Sequence, residues 1–321
     1  MFQYSDNNYL PGTVIYHHPE FLYRKAPGIS STQVKTFANQ SAAHYHHHYL
    51  GEPAVRAESA AMVLGSLVHC LVLEPDQVNS RYQVLDESDD YVLRTVPQLK
   101  SWLQQRNLSQ AGNKQELIER IMQHDADAPV WSVIQERMKE KHQKLIKREV
   151  MQQAQNMASS VTDHPKARVL LQNGEREVSV WGKHDDTGQV IKCRPDLLQS
   201  NGGLCIDLKT CQCAAPQKFT RNVIDFGYEL QQAHYLQVLN SANIDVDTFV
   251  FIAVESEPPY LTQIYLLDMK ASTASLKRWQ RIMQRLQQCR EEDYWPGYTN
   301  DTQLVLPKWY YQQYAAEINH V

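Results

Sequence analysis

No run of about 18 apolar residues occurs in this chain, so no transmembrane helix is expected. The opening MFQYSDNNYLPG lacks the basic-then-apolar layout of a secretory signal, which points to a cytoplasmic protein. Disulfide-framework spacing is missing too. Cys70, Cys193, Cys205, Cys211, Cys213 and Cys289 read as reduced thiols. There is no low-complexity tract, which argues against wholesale disorder, and no solenoid-type repeat. Nor is there an excess of basic charge: 32 Lys and Arg face 36 Asp and Glu, a formal net charge of −4. That balance neither supports nor excludes a nucleic-acid partner, because a local basic groove suffices for binding. What is present is 321 residues, 42% of them hydrophobic. This is enough for one large domain, or one domain with a small module.

Along the chain, Gly28-Ile29-Ser30-Ser31 precedes a short helix expected from Thr32 to Asn39, capped by Ser30 or Ser31. Residues 58–73 read as a buried helix that Glu74-Pro75 ends. A distinct unit spans 92–124. Residues 130–158 read as one long, charged helix, whose basic run is either a solvated face or a DNA contact. EREVSVWGKHDD, TGQVIKCRPDLLQ and GGLCIDLKT then read as hairpin-linked strands. A helix from about Tyr228 to Asn240, the strands TFVFIAVE and TQIYLLD, and a helix at about 271–291 follow. Strands flanked by helices predict an α/β or α+β fold.

The sharpest feature is Pro195-Asp196 on one strand, with Asp207-Leu208-Lys209 on the next. A hairpin would bring Asp196 and Asp207 side by side. Alternation puts Asp207 and Lys209 on one face and Leu208 in the core. Two carboxylates and a lysine on one strand face are costly unless something binds there. Mg²⁺ commonly takes one or two carboxylates plus substrate phosphate. One or two such ions could bind a scissile phosphate and activate water, with Lys209 orienting that water. A surface ion pair is the competing reading of Asp-x-Lys. Gln231 and Tyr235, at i and i+4, share a helix face. His69 interrupts an otherwise apolar helix, where a core histidine is the plainer reading. Glu177 opens the strand pattern EVSVW, where a surface acid is the plainer reading.

The ordered set GSLVH, EVSVW, KCRPDLL, IDLKT, GYELQQAHY, AVESEPPY and LVLPKW resembles the RecE (exonuclease VIII) exonucleases. These belong to the RecB-like branch of the PD-(D/E)xK nuclease superfamily. The resemblance spans nearly the whole chain apart from residues 90–126. It implies a restriction-endonuclease-like core, a central mixed sheet flanked by helices. It implies His69, Asp196, Asp207 and the Leu208 carbonyl as metal ligands, and Lys209 as the catalytic lysine. Gln231 and Tyr235 match the branch's Gln-x-x-x-Tyr motif, and Glu177 matches an acidic position. The cofactor would be one or two Mg²⁺, with Mn²⁺ able to substitute. Relatives degrade linear duplex DNA from the 5′ end and leave 3′ single-stranded tails. They form ring-shaped homo-oligomers and work with a single-strand annealing protein, a setting of phage or prophage recombination. Candidates for holding a 5′ phosphate are Ser30, Ser31, Lys35 and Arg56, although a plain N-cap also explains the serines.

Residues 95–121, TVPQLKSWLQQRNLSQAGNKQELIERI, fit two amphipathic helices broken at Gly112. They resemble a SAP motif, a helix-extended-helix DNA-binding unit. Lys100, Arg106, Lys114 and Arg120 are its candidate phosphate contacts. A hairpin serving oligomer packing is the alternative. The expected divisions are 1–90 (nuclease, N-terminal part), 91–126 (SAP-like insertion) and 127–321 (nuclease remainder with the catalytic core). The tract His44-Tyr45-His46-His47-His48-Tyr49 has no carboxylate or Cys partner at ligand spacing, and reads as a polar helix or a DNA-facing patch. Cys211-x-Cys213 with Cys289 does not reproduce an iron–sulfur spacing, so no cluster is expected. The aromatic tail around Tyr294, Trp295, Tyr298, Trp309, Tyr310, Tyr311 and Tyr314 reads as packing or as a base-stacking surface. The rival functions are a structure-specific or restriction-like endonuclease and a non-catalytic DNA-binding protein.

Overall fold

Short β-rich runs and amphipathic helices assemble into three sheets with helices against them, in a computed structural model that describes residues 9–51, 58–85, 92–140, 143–298 and 304–315. Strand β1 (Val14–Ile15) comes first, then helices α1 (Glu20–Lys25), α2 (Ser31–Asn39), α3 (Ala42–Tyr49) and α4 (Ala60–Leu73). Next are α5 (Val78–Arg81), β2 (Tyr82–Leu85), α6 (Val96–Gln104), α7 (Lys114–His124), α8 (Trp131–Glu140) and β3 (Lys144–Lys147). Helices α9 (Arg148–Asp163) and α10 (Pro165–Leu171) lead into β4 (Glu175–Arg176), β5 (Ser179–Lys183), β6 (Val190–Cys193), β7 (Leu197–Gln199) and β8 (Leu204–Cys211). Helices α11 (Pro216–Asp225) and α12 (Tyr228–Ser241), strands β9 (Thr248–Glu255) and β10 (Thr262–Tyr265), and helices α13 (Met269–Glu292) and α14 (Lys308–Gln313) complete the order.

The main sheet runs β10-β9-β8-β7-β4, with β8 and β9 parallel and the other pairs antiparallel. It is the mixed α/β sheet expected from the sequence. A second, antiparallel sheet runs β1-β5-β6, and β2 pairs with β3 in parallel. Period-two alternation sorts β9 between two cores. Phe249, Phe251 and Ala253 pack with Leu230 and Ala233 of α12. Val250, Ile252 and Val254 pack with Leu67 and Val68 of α4 and with Met157 of α9. Strand β8 lies between the same layers: Ile206 and Leu208 face α4 and α9, as the alternation predicted for Leu208.

Ser30 caps α2 through a capping box: its hydroxyl accepts from Gln33 N–H and Gln33 Oε1 accepts from Ser30 N–H. The expected long helix at 130–158 is instead α8, strand β3 and α9. Pairing with β2 takes Lys144–Lys147 out of the helix and buries Ile146 in the α4–α9 core. In the basic run there, Lys144 pairs with Glu58 at 2.6 Å and Arg137 donates to the Ala126 carbonyl at 2.6 Å. Helices α6 and α7 form at the two amphipathic stretches, with Gly112 between them at φ +117°. They carry a core of their own, built on Leu99, Leu103, Leu117 and Ile121. Among the described residues no helix is long and apolar enough to cross a membrane. All six cysteines are free thiols, five of them buried.

Candidate active site

The chain passes between the main sheet and the second sheet twice. Strand β4 pairs with β7 whereas β5 pairs with β6, so residues 177–178 form one crossover. Residues 194–196, Arg-Pro-Asp, form the other, between β6 and β7. Glu177 and Asp196 therefore lie just outside the strands on which the sequence pattern had put them. The physical reasons are local. Pro195 has no N–H to give a ladder. Glu177 adopts φ +52°, which turns the chain out of the pleat. The two crossovers are stitched together: the Glu177 N–H donates to the Asp196 carbonyl at 3.2 Å.

His69 enters from α4, the buried helix seen in the sequence. Its Nδ1 lies 3.4 Å from Asp196 Oδ2. Ligand atoms of His69, Glu177 and Asp196 all fall within 4.8 Å of one another. One imidazole nitrogen and two carboxylates form a donor set that suits a divalent cation. The electrostatics agree. Burial disfavours protonated His69, but the Asp196 charge outweighs it and raises the imidazole to about 9. Burial, then the Asp196 charge, push Glu177 up to about 7. Such clustered, perturbed groups are a mark of functional sites.

Asp207 and Lys209 share a face of β8, as the alternation requires. Asp207 is 1% exposed and paired to the Lys209 ammonium, and its other oxygen accepts from Gln231 Nε2 at 2.6 Å. Despite burial, Asp207 and Asp196 hold Lys209 above the ordinary lysine range. The ammonium lies 4.9 Å from the centre of the Tyr228 ring. Asp207 thus turns to Lys209 and Gln231, outside the His69–Glu177–Asp196 cluster. Leu208 enters through its main chain: its N–H donates to Asp196 Oδ2 at 2.6 Å. Tyr235 donates its hydroxyl to the Arg194 carbonyl at 3.2 Å.

A cleft of about 1510 Å³ opens beside this seam, and Ser30, Ser31, His69, Glu177, Asp196 and Tyr235 line it. Lys35, one turn along α2 from Ser31, is not among the residues that line the cleft. It faces the Tyr228 ring at 5.8 Å, and burial, then the Lys209 charge, lower its ammonium to about 8. Arg56 lies outside the described residues. Sequence reasoning missed Arg24, Arg194 and Arg290 as basic lining of the cleft, whereas Lys144 came from the run read as a solvated face or a DNA contact. For Arg194 the signal was at hand, directly before Pro195-Asp196. In the helical unit, Arg106 donates to the Trp102 carbonyl at 3.3 Å. Arg120 donates to the carbonyls of Ser109 and Ala111, at 2.7 and 2.9 Å. Lys114 is exposed and Lys100 half-buried.

A mixed sheet with an Asp ahead of one strand, an Asp-x-Lys on its neighbour and a histidine brought in by a flanking helix defines the PD-(D/E)xK nuclease class. Within that class the chain belongs to the family described as PDDEXK-like domain of unknown function (DUF3799), whose model matches residues 30–306. The crystal structure of a candidate exonuclease from Eubacterium rectale is similar, with a TM-score of 0.53, 13% identity, and coverage of 98% of this chain and 99% of that one. At that identity the shared property is the fold. No curated protein matches the sequence.

Proposed function

We propose that this nuclease is a metal-dependent exodeoxyribonuclease that resects the ends of double-stranded DNA from 5′ to 3′. The observation that carries the reading is the meeting of His69, Glu177 and Asp196 within 4.8 Å, beside the Asp207–Lys209 pair. Those three side chains would hold a divalent ion, Mg²⁺ or Mn²⁺, with Asp207 and the Leu208 carbonyl next to them. Such an ion, when bound, polarises the phosphate and makes bound water a nucleophile at neutral pH. The protein supplies the rest. Lys209, kept cationic by Asp207, orients the attacking water and offsets charge on the phosphate. Gln231 fixes the Asp207 carboxylate through its amide. Tyr235 steadies the Asp196 crossover by its bond to Arg194. Ser30 and Ser31, in the same cleft at the start of α2, suit a terminal phosphate.

The resemblance to RecE-type enzymes supports the polarity, the 3′-tailed product, a ring-shaped oligomer and an annealing partner. The unit at 91–126 is proposed to anchor the enzyme on duplex DNA, supported by its separate core and by exposed Lys114. Digestion of linear duplexes with and without a 5′ phosphate, beside closed circular DNA, tests the reading. We expect Mg²⁺-dependent loss of the linear substrates, faster with the phosphate. Digestion of the circle would instead make it an endonuclease.

A further inference from the structure

Arg194 is placed where it cannot be a simple surface charge. Its side chain is 9% exposed and that of Glu177 19%. The guanidinium Nε donates to Glu177 Oε2 at 2.6 Å, and Nη1 donates to the His18 carbonyl at 2.7 Å. One planar fork thus joins a carboxylate of the ion-binding cluster to the main chain of the segment ahead of α1.

That segment is a firm anchor. His18 is buried with its Nδ1 3.1 Å from Ser179 Oγ, and β1 just ahead of it pairs with β5. Glu177, in contrast, needs holding. Its φ of +52° is a region that a side-chain-bearing residue adopts only at a cost. Its carboxylate also sits within 4.8 Å of a ligand atom of Asp196, a like charge that pushes it out of the cluster.

We propose that Arg194 is the positioning residue that holds Glu177 in the ion-binding cluster, using the His18 carbonyl as its fixed point. The inference rests on the reading of Glu177 as an ion ligand. Arginine suits the role because its fork serves two acceptors at fixed angles, which a lysine ammonium on a flexible stem does not reproduce. Partners of this kind, one bond behind a ligand, typically change metal affinity roughly 10- to 100-fold when removed.

The test is calorimetric titration of Mn²⁺ into the full-length protein without DNA, for wild type, Glu177→Gln, Arg194→Gln, Arg194→Lys and the double variant Glu177→Gln/Arg194→Gln. We expect each glutamine variant to weaken Mn²⁺ binding roughly tenfold or more. The double variant should bind no more than about threefold more weakly than Glu177→Gln alone, because both changes remove one interaction. Arg194→Lys should fall between wild type and Arg194→Gln. Wild-type affinity in Arg194→Gln, with weakened binding in Glu177→Gln, overturns the positioning role. Losses that multiply in the double variant also overturn it, since Arg194 would then act by another route. Unchanged affinity in Glu177→Gln overturns the ligand reading instead. Should Arg194→Gln not fold, Arg194→Lys alone and combined with Glu177→Gln completes the same cycle, and wild-type affinity in Arg194→Lys counts against the proposal.

Discussion

The seam between the two sheets and the helical unit around α6 and α7 are both rich in charge, but they use it differently. In the seam, charged groups face one another. Arg194 holds Glu177, Lys209 holds Asp207, and His69 lies against Asp196. Buried charges must be paired in this way, because an unpaired one is expensive. In the helical unit, two of the four candidate phosphate contacts serve the fold. Arg106 stacks on Trp102 at 3.8 Å, and Arg120 ties down the 109–111 loop. Among the described residues Lys100 and Lys114 make no such bond. A basic residue in a sequence is therefore not yet a DNA contact. Its partners decide whether its charge is available.

The largest expected effect breaks the seam. Asp196→Ala removes the acceptor for Leu208 N–H and the partner of His69. We expect it to lower Mg²⁺-dependent DNA digestion by at least ~1000-fold, the scale of losing a core catalytic group. A labelled linear duplex followed over time, with circular dichroism as the folding control, reports it; a folded variant retaining a tenth of the activity would remove Asp196 from the site. The matching change in the other region is Leu103→Ala, at a position 0% exposed in the helical unit's own core. It should cost about 2–5 kcal/mol locally. Hydrogen exchange should speed in α6 and α7 but not in β8 or β9, and short duplexes should still be cut. Faster exchange throughout would show that the unit and the nuclease core unfold together.

Much of this was legible in the sequence because it is local, written in apolar runs and short periods. A continuous apolar run gave β9, alternation gave the shared face of Asp207 and Lys209, and helical spacing gave α12 with Gln231 and Tyr235. The illegible part lies where the chain changes sheets. No local pattern tells that β6 and β7 belong to different sheets, so Asp196 and Glu177 were assigned to strands rather than to crossovers. The Arg194–Glu177 bond spans 17 residues and the Arg194–His18 bond 176. Such pairings depend on tertiary packing that spacing does not encode. Strand β3 was hidden for a similar reason: KLIK becomes a strand only because β2 is there to pair with it.

Acid offers a milder way to load the nuclease half. His234, on α12, is fully buried and neutral. Its Nδ1 accepts from Trp279 Nε1 at 3.0 Å, and Nε2 faces the Lys192 carbonyl at 3.0 Å. Burial lowers its pKa from 6.5 to about 4. The unfolded chain therefore binds a proton first as pH falls. The contribution is intact above 6.5, declines between 6.5 and about 4, and is fully lost below that, a total of ~3 kcal/mol. Urea unfolding of the wild type should show this decline between pH 7 and 4.5, and His234→Gln should flatten it. An equal slope in the two proteins would show that other groups set the acid response.

The smallest effect separates the two kinds of basic residue within the helical unit. Lys100→Gln and Lys114→Gln each remove one phosphate contact if the unit lies on DNA. Each should then reduce the salt dependence of duplex binding by a slope of about 0.9, with no change in thermal stability. Arg120→Gln should do the reverse. It frees the Ser109 and Ala111 carbonyls, costs about 1 kcal/mol in the stability of the unit, and leaves the salt slope nearly unchanged. Fluorescence anisotropy of a labelled duplex across a salt series, with a thermal melt of each variant, makes the comparison. If the lysines leave the slope untouched, the unit does not lie on DNA, and its helices pack against protein instead.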